Sequence, residues 1–299
     1  MKRIKYLKQY ISFNFKMMRD YNIDQMTRDF PAYLREVLKG MNNGALGPVY
    51  RRLIKTAPAP LLVICHARTG SNFLLWLLES HPHITHIGEP FGTNELVHPW
   101  IISRIREVGP LDYLKGSLQR KGNERIAAFK FLYLQFEPEY AERWSLPDLE
   151  EVRTYLSDTL DMKVIHLKRR NRLENLISLR IAEVTKKYVL FNPKKRVGDI
   201  QIELTPEECS AEFEKIAALE KHYAELFAGH PVLNIYYEDL YMETQSEGKR
   251  ILEFLEVKQK PLRERTVKQN VRPIREVLKN YDELKKHFTG TVWENMFNE

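Results

Sequence analysis

The stretch Leu61-Leu-Val-Ile-Cys-His-Ala-Arg-Thr-Gly-Ser-Asn-Phe-Leu-Leu-Trp76 decides the fold. Leu61–Cys65 is an unbroken apolar run, as in a strand buried on both faces of a parallel sheet. His66–Gly70 reads as a turn. Asn72–Glu79 is apolar enough for a buried helix that closes near His81-Pro82. This succession sets the first N–H groups of the helix, which lack internal partners, against the turn. A phosphate fits there. Gly70 lets the backbone approach it, Ser71 and Asn72 add short polar side chains, and Arg68 adds a fixed positive charge. The plain alternative is an ordinary connection whose Gly closes the turn and whose Ser caps the helix.

Three further apolar runs share the character of the first: Ile126–Leu132, Lys163–Leu167 and Val232–Tyr237. Helical patterns over Leu146–Leu160, Leu173–Tyr188 and Pro206–Ala228 lie among them. Strands alternating with such helices predict an α/β domain with a mostly parallel central sheet flanked by helices. Ligands of such sheets sit at the carboxyl ends of the strands. Residues 1–57 read as an N-terminal helical extension, and Pro58-Ala-Pro60 as the punctuation that opens a domain over 58–299. Lys186–Ile202 lacks periodicity and reads as a surface loop able to lie over the substrate.

Composition narrows the class. A chain of 299 residues, 43% hydrophobic and 29% charged, is globular rather than disordered. Its net charge of +7 suits an anionic partner. The basic residues are scattered, which argues against nucleic acid. Two cysteines, Cys65 and Cys209, make no disulfide framework and favour a reducing compartment. No run approaches the roughly 20 apolar residues of a spanning helix. The basic N-terminus lacks the apolar core of a signal peptide. The expectation is a cytoplasmic protein, with peripheral membrane contact through the first 20 residues left open.

The loop is no Walker A sequence, because it lacks an opening Gly and a Lys before Ser71. Ala67-Arg-Thr-Gly-Ser-Asn-Phe73 instead resembles the 5′-phosphosulfate loop of the P-loop sulfotransferases, typically P-[KR]-[ST]-G-[ST]-[ST]. The likeness is to the bacterial carbohydrate-type members. It implies that Arg68, Thr69, Gly70, Ser71 and Asn72 hold the 5′-phosphate and sulfuryl end of 3′-phosphoadenosine 5′-phosphosulfate (PAPS). It also implies that Phe73 lies near the adenine. Ala67 stands in place of the usual Pro.

Met162–Leu179 is a second strand running into a basic cluster and a helix. Arg170 lies at the strand's end and Ser178 follows eight residues later. Members of the family carry an Arg and a Ser at this separation for the donor's 3′-phosphate. A guanidinium fork matches phosphate oxygens and a hydroxyl adds a hydrogen bond. Which of Arg169, Arg170 and Arg172 faces the ligand stays open, with the spacing favouring Arg170. An arginine at a helix N-terminus opposes the dipole, so a bound anion would relieve it. Val232–Leu240 is similar to a recurrent family segment, with Glu238 and Asp239 read as structural. Lys268–Leu284 resembles the late basic segment that approaches the 3′-phosphate, which implies roles for Lys268 and Arg272. The resemblance spans roughly residues 60–290.

Sulfuryl transfer needs cations near the transferred oxygens and a base for the acceptor's proton. Glu89, in His86-Ile-Gly-Glu-Pro-Phe91, matches an E-P-F context in which carbohydrate-type members carry an acidic residue. It is the first candidate for the base, with His66, His81, His83 and His86 as rivals. Lys130 interrupts an apolar run, where a charge is costly unless it faces a partner. The family places a Lys on a corresponding strand near the transferred group. Arg68 and Lys130 are thus the expected catalytic cations, and no metal ligand set is found. Two other classes stand beside this one: a kinase-like nucleotide enzyme and a non-catalytic anion-binding module. Residues 84–125 and 186–202 are the expected walls of the acceptor pocket. The acceptor is a carbohydrate, glycolipid or other small molecule, and oligomeric state is unread.

Overall fold

In the computed structural model, the described residues are 58–92, 99–119, 124–143, 146–196 and 198–298. The helical extension expected over 1–57 lies outside them. The first strand, β1 (Ala59–Cys65), and the helix α1 (Ser71–Leu78) bracket the loop. Then come β2 (Ile84–His86), α2 (Pro99–Val108), α3 (Pro110–Ser117), β3 (Ile126–Leu132), α4 (Pro138–Arg143) and α5 (Glu150–Asp158). The order continues with β4 (Lys163–Lys168), α6 (Arg172–Thr185), α7 (Pro206–Leu226), β5 (Val232–Tyr236), α8 (Tyr237–Met242) and α9 (Thr244–Phe254). Two short helices follow, α10 (Ile274–Val277) and α11 (Tyr281–Phe288).

The sheet runs β2-β3-β1-β4-β5, and each adjacent pair is parallel. Central position explains the apolar run of β1. Leu61, Val63 and Cys65 pack into a layer with α1 and α9, while Leu62 and Ile64 pack into the layer of α2, α3, α5 and the end of α7. Pro60 is tolerated at the start of this central strand. Ala59 N donates to Arg125 O on the β3 side, and the ladder with β4 begins only at Leu61. A third core joins α6 and α7 to α11.

Several boundaries differ from the sequence reading. The three-residue β2 is too short to show periodicity. Tyr237, expected in the last strand, instead opens α8. The helix expected over Leu146–Leu160 is confined to α5. That expected over Leu173–Tyr188 ends at Thr185, because Lys186 turns left-handed with φ 55°. The segment beyond it, residues 186–196, forms a strap with one short 3-10 turn at Pro193–Lys195.

Candidate active site

The loop between β1 and α1 is curled by two left-handed residues, Arg68 at φ 65° and Gly70 at φ 85°. Such turns gather successive N–H groups into an anion-binding concavity. No side chain caps α1, and no acidic residue lies in its first turn. A Cβ on Gly70 would fall 2.2 Å from Tyr237 Cδ2, so only glycine fits against that ring. Thr69 Oγ1 donates to His66 O at 2.8 Å and closes the loop on itself.

Beneath the loop, His66 is buried. Its Nδ1 donates toward Asn175 Oδ1 and Ala67 O, each at 3.1 Å, and its Nε2 lies 3.3 Å from Glu212 Oε1. Burial pulls its pKa down, against the opposing pull of Glu212. The histidine therefore braces the loop against α6 and α7.

Arg68 reaches over the site. Its Nε donates to Ser178 Oγ at 3.2 Å, and one terminal nitrogen donates to Tyr188 O at 2.8 Å. The other bonds Gln269 Oε1. Gln269 in turn donates to Lys187 O at 3.0 Å. Burial, followed by the neighbouring Arg169, draws the Arg68 pKa down to about 10.

Of the three arginines after β4, Arg169 is the one turned to the loop. It is 7% exposed, donates to Arg68 O at 3.2 Å and pairs with Glu174. Its guanidinium lies 4.9 Å from the Tyr237 ring centre. Its buried Nε finds no hydrogen bond, and Glu238 Oε1 lies 4.0 Å from it. Arg170, which the spacing favoured, points outward. Its side chain is 50% exposed, forks onto Asp239 with two contacts of 2.6 Å and covers Tyr236. The reason is alternation: successive residues at a strand's end face opposite ways. Arg172 pairs with Glu220 at 3.0 Å. Lys268 joins the Arg169 group through Glu174 at 3.5 Å, whereas Arg272 bonds Ile200 O and lies 3.6 Å from Asp199.

Lys130 links the loop to Glu89. It is 6% exposed, and its three donors match Glu89 Oε2 at 2.9 Å, Asn72 Oδ1 at 3.0 Å and Ser71 Oγ at 3.4 Å. Gln135 donates to Glu89 Oε1 at 3.0 Å, while its own carbonyl accepts from Leu132 N. The carboxylate is held from both sides. The four histidine rivals are placed differently. His66 is the loop's brace, His81 bonds Lys258 O at 2.9 Å and His83 lies beside His81. His86 packs edge-on to Trp76. Phe73 meets the edges of Tyr237 and Tyr241, whose own rings stack at 5.8 Å.

Arg169, one of the three arginines left open above, thus joins the site, as do Gln135, Tyr237 and Gln269, which were not read as site residues. A signal existed for the first three, since each follows the carboxyl end of a strand. Gln269 has none. Among the described residues, no group of three or more His, Cys, Asp or Glu could hold a metal. None of the described helices is long and apolar enough to cross a membrane.

A glycine-turned loop after the central strand of a parallel sheet, flanked by arginines and a lysine–glutamate pair, thus forms the candidate site. Residues 60–261 match the model of the sulfotransferase family, and the chain belongs to that family. It is therefore an enzyme, and the kinase-like and non-catalytic alternatives fall away. Nodulation protein H of Rhizobium tropici is 26% identical over 246 residues, covering 81% of this chain and 94% of that protein. Its counterpart from Rhizobium meliloti (strain 1021) is 24% identical over 245 residues, covering 80% and 95%. Among solved structures, a sulfotransferase from Alicyclobacillus acidocaldarius has a TM-score of 0.45 at 16% identity, over 78% of this chain and 92% of that one. Mouse sulfotransferase SULT7A1 complexed with PAP has a TM-score of 0.36 at 15% identity, over 68% and 60%.

Proposed function

We propose that this enzyme moves the sulfuryl group of PAPS to a hydroxyl of a carbohydrate or glycolipid acceptor. One observation carries the donor's identity. Two guanidiniums meet at the curled loop, Arg169 buried and Arg68 half-buried, and the charge of Arg169 helps depress the Arg68 pKa. An anion between them would remove that conflict. The unbonded Nε of Arg169 has the chemistry to accept such a partner. In this reading Arg68, Thr69, Gly70, Ser71 and Asn72 hold the 5′ end. Arg169, Ser178 and Lys268 serve the 3′-phosphate, while Arg170, turned to Asp239, and Arg272, turned to Asp199 and Ile200, stay outside it. Phe73, with Tyr237 and Tyr241 beside it, receives the purine.

Chemistry follows from the Lys130–Glu89 pair. Glu89 accepts the acceptor's hydroxyl proton as that oxygen bonds to sulfur. The bond from sulfur to the donor's phosphate oxygen breaks, and 3′-phosphoadenosine 5′-phosphate (PAP) leaves. Lys130 and Arg68 stabilise the charge spread over the sulfuryl oxygens. Gln135 keeps Glu89 aimed. Two lone buried thiols, Cys65 and Cys209, support a cytoplasmic setting. Calorimetry tests the donor, with PAP expected to bind in the micromolar range and adenosine 5′-phosphate far more weakly. Equal weak binding of the two would sink the assignment. Glu89→Gln should keep PAP affinity and lose turnover; unchanged turnover would remove Glu89 as the base.

A further inference from the structure

Trp76 sits one helical turn beyond Asn72 on the same face of α1, and Asn72 holds the Lys130 that pairs with Glu89. The indole is half-buried. It meets His86 of β2 edge-on at 4.9 Å and Phe191 of the strap edge-on at 5.3 Å. Phe191 is 47% exposed, although apolar side chains of its size usually bury. The Trp76 and Phe191 planes stand 88° apart and make an open aromatic corner. Its rim is charged. Arg265 lies 5.9 Å from the Trp76 centre and 3.3 Å from Glu79, whose carboxylate is 3.8 Å from His86 Nε2.

We propose that Trp76 and Phe191 form the rest on which a sugar ring of the acceptor lies, its hydroxyls turned to Arg265 and Glu79. The proposal builds on the carbohydrate-acceptor reading above. A pyranose has one C–H face and a rim of hydroxyls, which matches an aromatic corner edged by ionised groups. A phenol or steroid would need a closed apolar pocket, whereas this corner is open and its border is charged. The platform starts one turn from Asn72, which holds Lys130 beside Glu89. The strap also connects the two halves of the site. Phe191 lies three residues beyond Tyr188, whose carbonyl holds Arg68, and Leu190 O accepts from Val267 N at 2.9 Å.

The competing role for Phe191 is a mere latch that keeps the strap down. The two roles separate in one experiment on the full-length protein loaded with PAP. Cellotetraose, maltotetraose, chitotetraose and 2-naphthol serve as probes in saturation-transfer NMR titrations. At least one tetrasaccharide should bind, with its ring C–H protons saturated most strongly. Phe191→Ala and Trp76→Ala should each weaken it about tenfold, and Phe191→Tyr should preserve it. PAP affinity should stay within about twofold. Phe191 is exposed enough that its removal spares the core. The inference is overturned by tetrasaccharide binding indifferent to both substitutions, by 2-naphthol alone binding, or by no probe binding. It is also overturned if Phe191→Ala weakens PAP as much as the sugar, the signature of a latch. Failure of the unmutated protein to bind PAP would bring down the donor reading instead, and this inference with it.

Discussion

Gly70 shows how one residue type can be dictated twice. Its φ of 85° excludes most side chains, and the Tyr237 ring occupies the space a Cβ would need. Gly70→Ala should therefore destabilise the fold by about 1–3 kcal/mol and abolish PAP binding, as read by urea denaturation and calorimetry. His166 shows a different dependence on surroundings. It is buried in β4 with Nε2 2.6 Å from the Tyr133 hydroxyl. Burial, then the charge on Lys168, draws its pKa from the usual 6.5 down to about 3. The unfolded chain protonates this imidazole below pH 6.5, while the folded chain resists until about pH 3. Its stabilising share is full above 6.5 and drains as pH falls through that interval, at up to about 1.4 kcal/mol per pH unit. His166→Gln should flatten the stability curve between pH 6.5 and 5 in denaturation series; an unchanged slope would show that another group titrates there.

Among the elements, the junction of β4 with α6 carries the clearest test. Arg169 faces the loop and Arg170 faces Asp239. Arg169→Ala should erase the preference for PAP over adenosine 5′-phosphate, a loss of about tenfold or more. Arg170→Ala should leave that preference standing. Titration of both nucleotides against both variants decides it, and the reverse pattern would restore Arg170 to the 3′-phosphate. The same junction explains what sequence can and cannot reveal. Spacing along the chain gives the Arg-to-Ser separation but not which of two adjacent arginines turns inward. That depends on where β4 leaves the sheet. The β1–loop–α1 unit was legible because its signals are local: an aliphatic run, a glycine, an apolar helix. The tie from Arg68 to Tyr188 and Gln269 was not, because it joins residues more than a hundred positions apart. The lysine–glutamate pair was half legible. Lys130 stood out as a charge in an apolar run, yet nothing in sequence showed that it reaches Glu89.

For the whole molecule, the parallel sheet sorts the chain into two ends. The loop follows β1, Glu89 follows β2, Gln135 follows β3, Arg169 follows β4 and Tyr237 follows β5. The alternation of apolar runs and helices predicted this arrangement, although β2 itself escaped notice. The residues of the proposed site thus gather at one rim of the sheet. Among the described residues, the turn into β4 lies at the opposite rim, which makes it a place for engineering. Leu160 and Asp161 lie exposed in the turn that leads into β4, at its amino end. A flexible Gly/Ser insert between them should leave PAP affinity within about twofold by calorimetry. A reporter domain or surface tether could be grafted there, with donor and acceptor still free to enter from the far side.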